Sequence, residues 1–208
     1  MSRGRLARGK DTRIVVVTDP GPDPDDVKAL LVAAVFHRQR AIRLLAVVAN
    51  GGHLATERAC LARCILDHAG VPDVPVGIGS EGQPTSAQPH EFAIERYDEV
   101  DRARLLPGER LLARTLAAAP PASLTWVCIS SLRDIADLIA ANESLFVAKT
   151  AMVSIQGGLE RDAATGEWRA DNSVNNVFGA RAHRHACRAR TRGRTTRALL
   201  TRLARAHR

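Results

Sequence analysis

Aromatic residues are scarce in this 208-residue chain, where two Trp, one Tyr and four Phe make up 3% of the total. A core must therefore be assembled from Val, Leu, Ile and Ala, and hydrophobic residues reach 45%. That share excludes disorder over most of the length. No apolar run approaches the roughly 20 residues that a bilayer-spanning helix requires. The opening residues carry scattered Arg, but the apolar stretch behind them, Ile14 to Val17, is too short for the core of a secretory signal. Only four cysteines are present, at positions 60, 64, 128 and 187. Cys60 and Cys64 share one helical face, and two ligands with no partner pair nearby cannot enclose zinc. The cysteines are expected to be buried thiols in a reducing compartment, and the chain to be cytoplasmic.

Acid is missing from residues 179–208, which hold ten Arg and no Asp or Glu. The net charge of +8 is thus uneven, with +10 in that tail, +4 in residues 1–13 and −6 in the body between them. An acidic body with basic ends does not describe a folded nucleic-acid-binding surface. The expected organisation is a basic tail at 1–12, one incomplete α/β domain at 13–178, and an aberrant Arg-rich tail at 179–208. An Arg-rich arm binding RNA or DNA by counterion release is the rival account of the tail, and such binding would be salt-sensitive and blind to sequence.

Within the body, the short β-branched run at 13–18 reads as a strand buried on both faces, and 42–49, 74–78, 123–129 and 150–155 read as further strands. Helical spacing at 26–40, 55–69, 109–119 and 132–141 alternates with them. The pattern predicts right-handed crossovers and a Rossmann-like, mostly parallel sheet covered on both faces. Ligands bind beyond the carboxyl ends of the strands in such sheets. Residues 80–106 read as a long polar loop, a feature that is often functional.

The first strand ends in Thr18-Asp19-Pro20-Gly21-Pro22-Asp23-Pro24-Asp25-Asp26, with four carboxylates in eight residues of a proline-stiffened loop. Helix initiation accounts for part of it: Asp23 suits an N-cap, Pro24 the first helical position, and Asp25 and Asp26 the helix dipole. It does not account for Asp19 at a strand tip, nor for several negative charges aimed at one point. Like charges held together are costly unless a cation sits among them. Convergent carboxylates without Cys or His suit a hard ion, Ca²⁺ or Mg²⁺.

The stretch Val16-Val17-Thr18-Asp19-Pro20-Gly21, followed by Asp25-Asp26-Val27, resembles the N-terminal signature of the inosine/uridine-preferring nucleoside hydrolases. Further segments resemble the same family in the same order. They are Leu44 to Asn50, Pro72 to Gly79, Leu124 to Leu138, Val153 to Gly158 and Asp171 to Asn176. The resemblance implies a nucleoside hydrolase fold, truncated here, and cleavage of the N-glycosidic bond of a ribonucleoside to base and ribose. It implies a Ca²⁺ cofactor held by Asp19, Asp26 and the backbone carbonyl of Arg133, with Asp19 as general base on the attacking water. Asp25 would bind the ribose diol and also touch the ion, and Asn50 and one of Asn175 or Asn176 would hold sugar hydroxyls. Homo-oligomers occur in the family.

The sequence also departs from the family pattern. Val17 stands where the family has an additional Asp. Two extra residues between the turn and the Asp pair make Asp23 a rival to Asp25. Ser130-Ser131-Leu132-Arg133-Asp134 replaces Gly-Pro-Leu-Thr-Asn. The family's last calcium-binding Asp and its leaving-group His have no counterpart, and a shifted reading frame or a truncated gene is the expected origin of residues 179–208. His53, beyond the Asn50 turn, is a pocket candidate, and Phe92 and Trp168 are candidates for stacking on a base. Two other functions fit the acidic loop: a Mg²⁺-dependent phosphohydrolase, and a non-catalytic protein that binds ribose or calcium.

Overall fold

The computed structural model describes residues 12–82, 87–88, 90–157, 159–166, 168–170 and 175. Asn176, the tail at 179–208, Asp171 and all but the last residue of the 1–12 tail lie outside the described residues.

The order of elements is β1 (Arg13–Thr18), α1 (Pro24–Arg38), β2 (Arg43–Ala49), α2 (Ala55–His68) and β3 (Val76–Ile78), followed by single 3₁₀ turns at Tyr97–Glu99 and Arg102–Arg104. Then come β4 (Leu106–Pro107), α3 (Gly108–Ala118), β5 (Leu124–Cys128), α4 (Arg133–Ala141), α5 (Glu143–Lys149), β6 (Thr150–Ile155), β7 (Leu159–Arg161) and β8 (Trp168–Ala170). Among the described residues, six strands form one sheet in the order β4-β3-β2-β1-β5-β6, and every pairing in it is parallel. The two short strands β7 and β8 make a separate antiparallel hairpin.

Strand alternation sends neighbouring side chains to opposite faces, and each face has its own core. Val16, Val47, Ala49 and Val76 pack with Leu30 and Ala34 of α1 and with Ala59, Ala62, Ile65 and Leu66 of α2. Val15, Val17, Ala46 and Val48 pack with Leu111, Leu112 and Leu116 of α3, Ile135 and Leu138 of α4 and Phe146 of α5. The few aromatics are placed economically. Trp126 is fully buried, stacks on Phe146 at 5.3 Å and donates from Nε1 to Thr150 Oγ1 at 2.9 Å, so the polar tip of the indole is satisfied. Cys60, Cys64 and Cys128 are buried free thiols.

The fold is the expected α/β sheet with helices on both faces, and it differs from the sequence expectation in detail. The polar stretch 80–106 contains two 3₁₀ turns and leads into β4, whose two residues extend the sheet beyond β3. Asn142 caps an additional helix, α5, by accepting from Leu145 N at 3.0 Å. At the start of α1, Asp23 occupies the N-cap position without a side-chain capping bond, while Pro24 opens the helix and Asp25 and Asp26 fill its first turn. The cap explanation for Asp23 therefore loses its hydrogen bond.

Candidate functional site

Strand β1 lies between β2 and β5, so its carboxyl end emerges at the middle of the sheet. Thr18 is fully buried there, and Asp19 follows it into the acidic loop. The first turn of α1 folds back over this tip. Asp26, 6% exposed, accepts from Thr18 Oγ1 through Oδ1, and the Asp19 N–H reaches the same oxygen at 3.4 Å.

Two neighbouring elements hold Asp19 from the other side. The loop after β2 crosses against it at Gly51, whose φ of +104° favours glycine. A Cβ at Gly51 would lie 3.0 Å from Asp19 Cβ and 3.2 Å from Oδ2. From α2, Arg58 Nη1 donates to the backbone carbonyls of Asp19 at 2.6 Å and Pro20 at 3.2 Å. Its Nη2 pairs with Glu91 Oε1 at 3.0 Å, and Glu91 Oε2 accepts from Gln88 N at 2.9 Å. The long polar loop is thus anchored to the acidic loop through an Arg58–Glu91 pair with side chains 12% and 1% exposed.

These residues border a cavity of about 450 Å³ lined by Asp19, Asp23, Asp25, Asp26, Arg58, Ile129, Gln156, Gly157 and Asn175, together with Gly21 and Pro22. The far wall comes from the ends of β5 and β6. Gln156 Nε2 donates to Asp25 Oδ2 at 3.2 Å, and Asn175 Nδ2 donates to the carbonyls of Gln156 at 2.9 Å and Ile129 at 3.3 Å.

The carboxylates are electrostatically strained. Asp19 is pushed up to about 7, chiefly by burial and then by the charge of Asp26, with Arg58 acting in the opposite direction. Asp26 is also raised by burial, against the lowering effect of the Thr18 hydrogen bond. Burial disfavours the charged form of both carboxylates, and a cation beside them would favour it. Among the described residues no group of three or more His, Cys, Asp or Glu side chains is arranged to hold a metal ion. The donors present are all oxygens and so match a hard cation in chemistry, with water and backbone oxygen required for the rest of its shell.

Four of the sequence candidates, Asp19, Asp25, Asp26 and Asn175, meet at this cavity, and the rival Asp23 lines it too. Asn50 and Arg133 are not among its lining residues. Asn50 is fully buried beside it, donating through Nδ2 to Ser131 O at 3.0 Å and to Asp134 Oδ2 at 2.7 Å. Arg133 opens α4, and its side chain turns toward Glu81 O at 3.4 Å and Asp137 Oδ2 at 3.7 Å. Phe92 stacks on Tyr97 at 5.4 Å and packs against the core, rather than lining the cavity as a platform for a base. His53 is exposed and is not a lining residue, and Trp168 starts β8. Arg58, Glu91, Gln156 and Asp134 had no assigned role in the sequence.

No family model matches the chain, and no curated protein matches it. Among solved structures, the chain has the fold of the nucleoside hydrolases. It superposes on the inosine–uridine preferring nucleoside hydrolase of Bacillus anthracis with a TM-score of 0.58 at 16% identity, covering 82% of this chain and 60% of that one. It is more similar to two effector proteins. The type III effector protein XopQ, in a structure complexed with adenosine diphosphate ribose, gives a TM-score of 0.71 at 28% identity over 87% of this chain and 56% of its own length. The effector protein XOO4466 gives 0.68 at 28% identity over 84% of this chain and 52% of its own. The chain therefore spans little more than half the length of either effector.

Proposed function

We propose that the chain carries a divalent-cation-dependent ribosyl site of nucleoside hydrolase type, with cleavage of an N-glycosidic bond as its chemistry. The observation that carries this proposal is the convergence of Asp19, Asp25, Asp26 and Asn175 on one cavity at the tips of β1, β5 and β6. The likeness to XopQ, a protein whose structure contains adenosine diphosphate ribose, supports a ribose-containing ligand.

In this proposal Asp19 and Asp26 would hold a Ca²⁺ ion, with Asp25 and the backbone carbonyl of Arg133 contributing. The chemistry such an ion would supply is positive charge that activates water and favours binding of the sugar diol. Asp19 would act as the general base on that water. Asp25 binds the diol from a position fixed by Gln156. Asn50 and Asn175 hold further sugar hydroxyls, with Asn176 the alternative to Asn175. The carboxylates stabilise the positive charge that grows on the sugar as the bond to the base weakens.

A non-catalytic ribosyl-binding protein is the second reading. It is favoured by the adenosine diphosphate ribose held by XopQ. Thermal unfolding with Ca²⁺, alone and with ribose, tests the shared part. The chain should be stabilised and its Asp19→Asn variant should not, whereas no shift in either would remove both readings. Base release from inosine or uridine then supports the hydrolase. Stabilisation without base release supports the binding protein, and phosphate release from nucleotides supports a Mg²⁺-dependent phosphohydrolase.

A further inference from the structure

Among the described residues that line the cavity, Arg58 is the single cation, and it stands beside the carboxylates of Asp19, Asp23, Asp25 and Asp26. Its guanidinium touches the backbone of their loop, with Nη1 donating to the carbonyls of Asp19 at 2.6 Å and Pro20 at 3.2 Å. The Arg58 charge is felt there: burial raises the proton affinity of Asp19 and Asp26, and Arg58 lowers it in both. Charge and proximity alone would send a guanidinium on a flexible stem onto those carboxylates. Its ion pair is instead with Glu91, in the polar loop between β3 and β4, at 3.0 Å from Nη2.

Glu91 is built to hold the guanidinium where it is. Its side chain is 1% exposed, and the turn from Gln88 fixes it twice. Gln88 N donates to Glu91 Oε2 at 2.9 Å, and the Glu91 N–H donates to Gln88 O at 3.1 Å. The acidic loop closes over the pair at Gly21, where a Cβ would overlap Arg58 Nη1 and lie 2.7 Å from Glu91 Oε1. Arg58 Nε is buried as well. A buried charge without its partner is costly, so each member of the pair restrains the other.

We propose that Glu91 is a positioning residue which keeps the Arg58 guanidinium off the loop carboxylates, leaving Asp19 and Asp26 open to a divalent ion. The inference rests on the cation site proposed above. Neutralising Glu91 leaves Arg58 as an unpaired cation beside Asp19 and Asp26, and pairing with them becomes its outlet. The chain's own guanidinium then competes with the ion for the same oxygens. An arm that covers a site about nine-tenths of the time weakens binding there roughly tenfold.

Calorimetric titration with Ca²⁺ alone tests it. Glu91→Gln should bind Ca²⁺ roughly tenfold more weakly than the unaltered chain. Removing the arm as well, in Arg58→Met combined with Glu91→Leu, should bring the affinity back to within about threefold of the unaltered chain. A Glu91 that only supports the fold gives the reverse, a double variant as weak as Glu91→Gln or weaker, and that result overturns the proposal. So does unchanged affinity in Glu91→Gln. By NMR of the unaltered chain, the buried Arg58 Nε–H should exchange slowly with solvent both with and without Ca²⁺. Protection that arises only with Ca²⁺, or none at all, overturns the restraint even where the variants fail to fold. An unaltered chain that binds no Ca²⁺ while Arg58 Nε–H stays protected is a different failure: the pair stands, and the cation site falls together with this inference.

Discussion

Gln156 donates from Nε2 to Asp25 Oδ2 at 3.2 Å, joining residues 131 positions apart and closing the cavity between the end of β6 and the first turn of α1. Both side chains are exposed, so the contact contributes little to global stability. Its consequence is orientation: it holds one face of Asp25 toward the interior. Gln156→Ala should leave the unfolding free energy within about 0.5 kcal/mol of the parent and weaken ribosyl binding severalfold. Urea unfolding and calorimetric titration measure the two effects separately.

Gly51 sets how close the chain after β2 comes to Asp19. An Ala there would combine a positive φ with a Cβ 3.0 Å from Asp19 Cβ and 3.2 Å from its Oδ2. Gly51→Ala should destabilise the chain by about 1–3 kcal/mol and reduce calcium affinity by displacing the carboxylate. Chemical denaturation and a calcium titration check both.

The pH dependence follows from the sign of the Asp19 shift. Burial and the charge of Asp26 raise its folded pKa to about 7 from the ordinary value of 3.8. The folded state therefore binds this proton more tightly than the unfolded chain, and stability falls as pH rises from about 4 through about 7. In metal-free buffer, Asp19→Asn should flatten this fall and be more stable than the parent at pH 8. Added Ca²⁺ should stabilise the parent at pH 8 and have little effect at pH 4.5. Thermal unfolding across the range, with and without Ca²⁺, tests each sign.

The Arg58–Glu91 pair ties the polar loop to the acidic loop from a buried position. Arg58→Met strands the Glu91 carboxylate and releases the carbonyls of Asp19 and Pro20. The loss should be about 3–5 kcal/mol, the range for breaking a buried ion pair from one side. Arg58→Met combined with Glu91→Leu should recover a substantial part of it. A double-mutant cycle in urea supplies the coupling energy.

The sheet was legible in the sequence because β1, β2, β5 and β6 are short apolar runs separated by helical periods. Parallel pairing then follows from connectivity. The elements that escaped notice lack such a signal. Leu106–Pro107 is too short to show a period and sits at the end of a polar loop, and α5 begins directly after α4 with only Asn142 between them.

The same distinction applies to the site. Asp19, Asp25 and Asp26 stand out because their charges crowd one loop, whereas the burial that chiefly raises Asp19 and Asp26 comes from the fold around them. Arg58, Glu91 and Asp134 act through partners far away in sequence. Their importance comes from burial and hydrogen bonding, which no local spacing encodes. Asp23 and Asp25, rivals in the sequence, differ in the fold: both line the cavity, and Asp25 carries the Gln156 hydrogen bond.

The central claim is that carboxylates at the tip of β1 engage a ribosyl ligand through a divalent ion. Calorimetric titration of adenosine diphosphate ribose into the chain, with Ca²⁺ and again with a chelator, tests it most directly. Saturable binding that requires the ion is the predicted result. Equal binding with and without Ca²⁺, or none in either, would contradict the account.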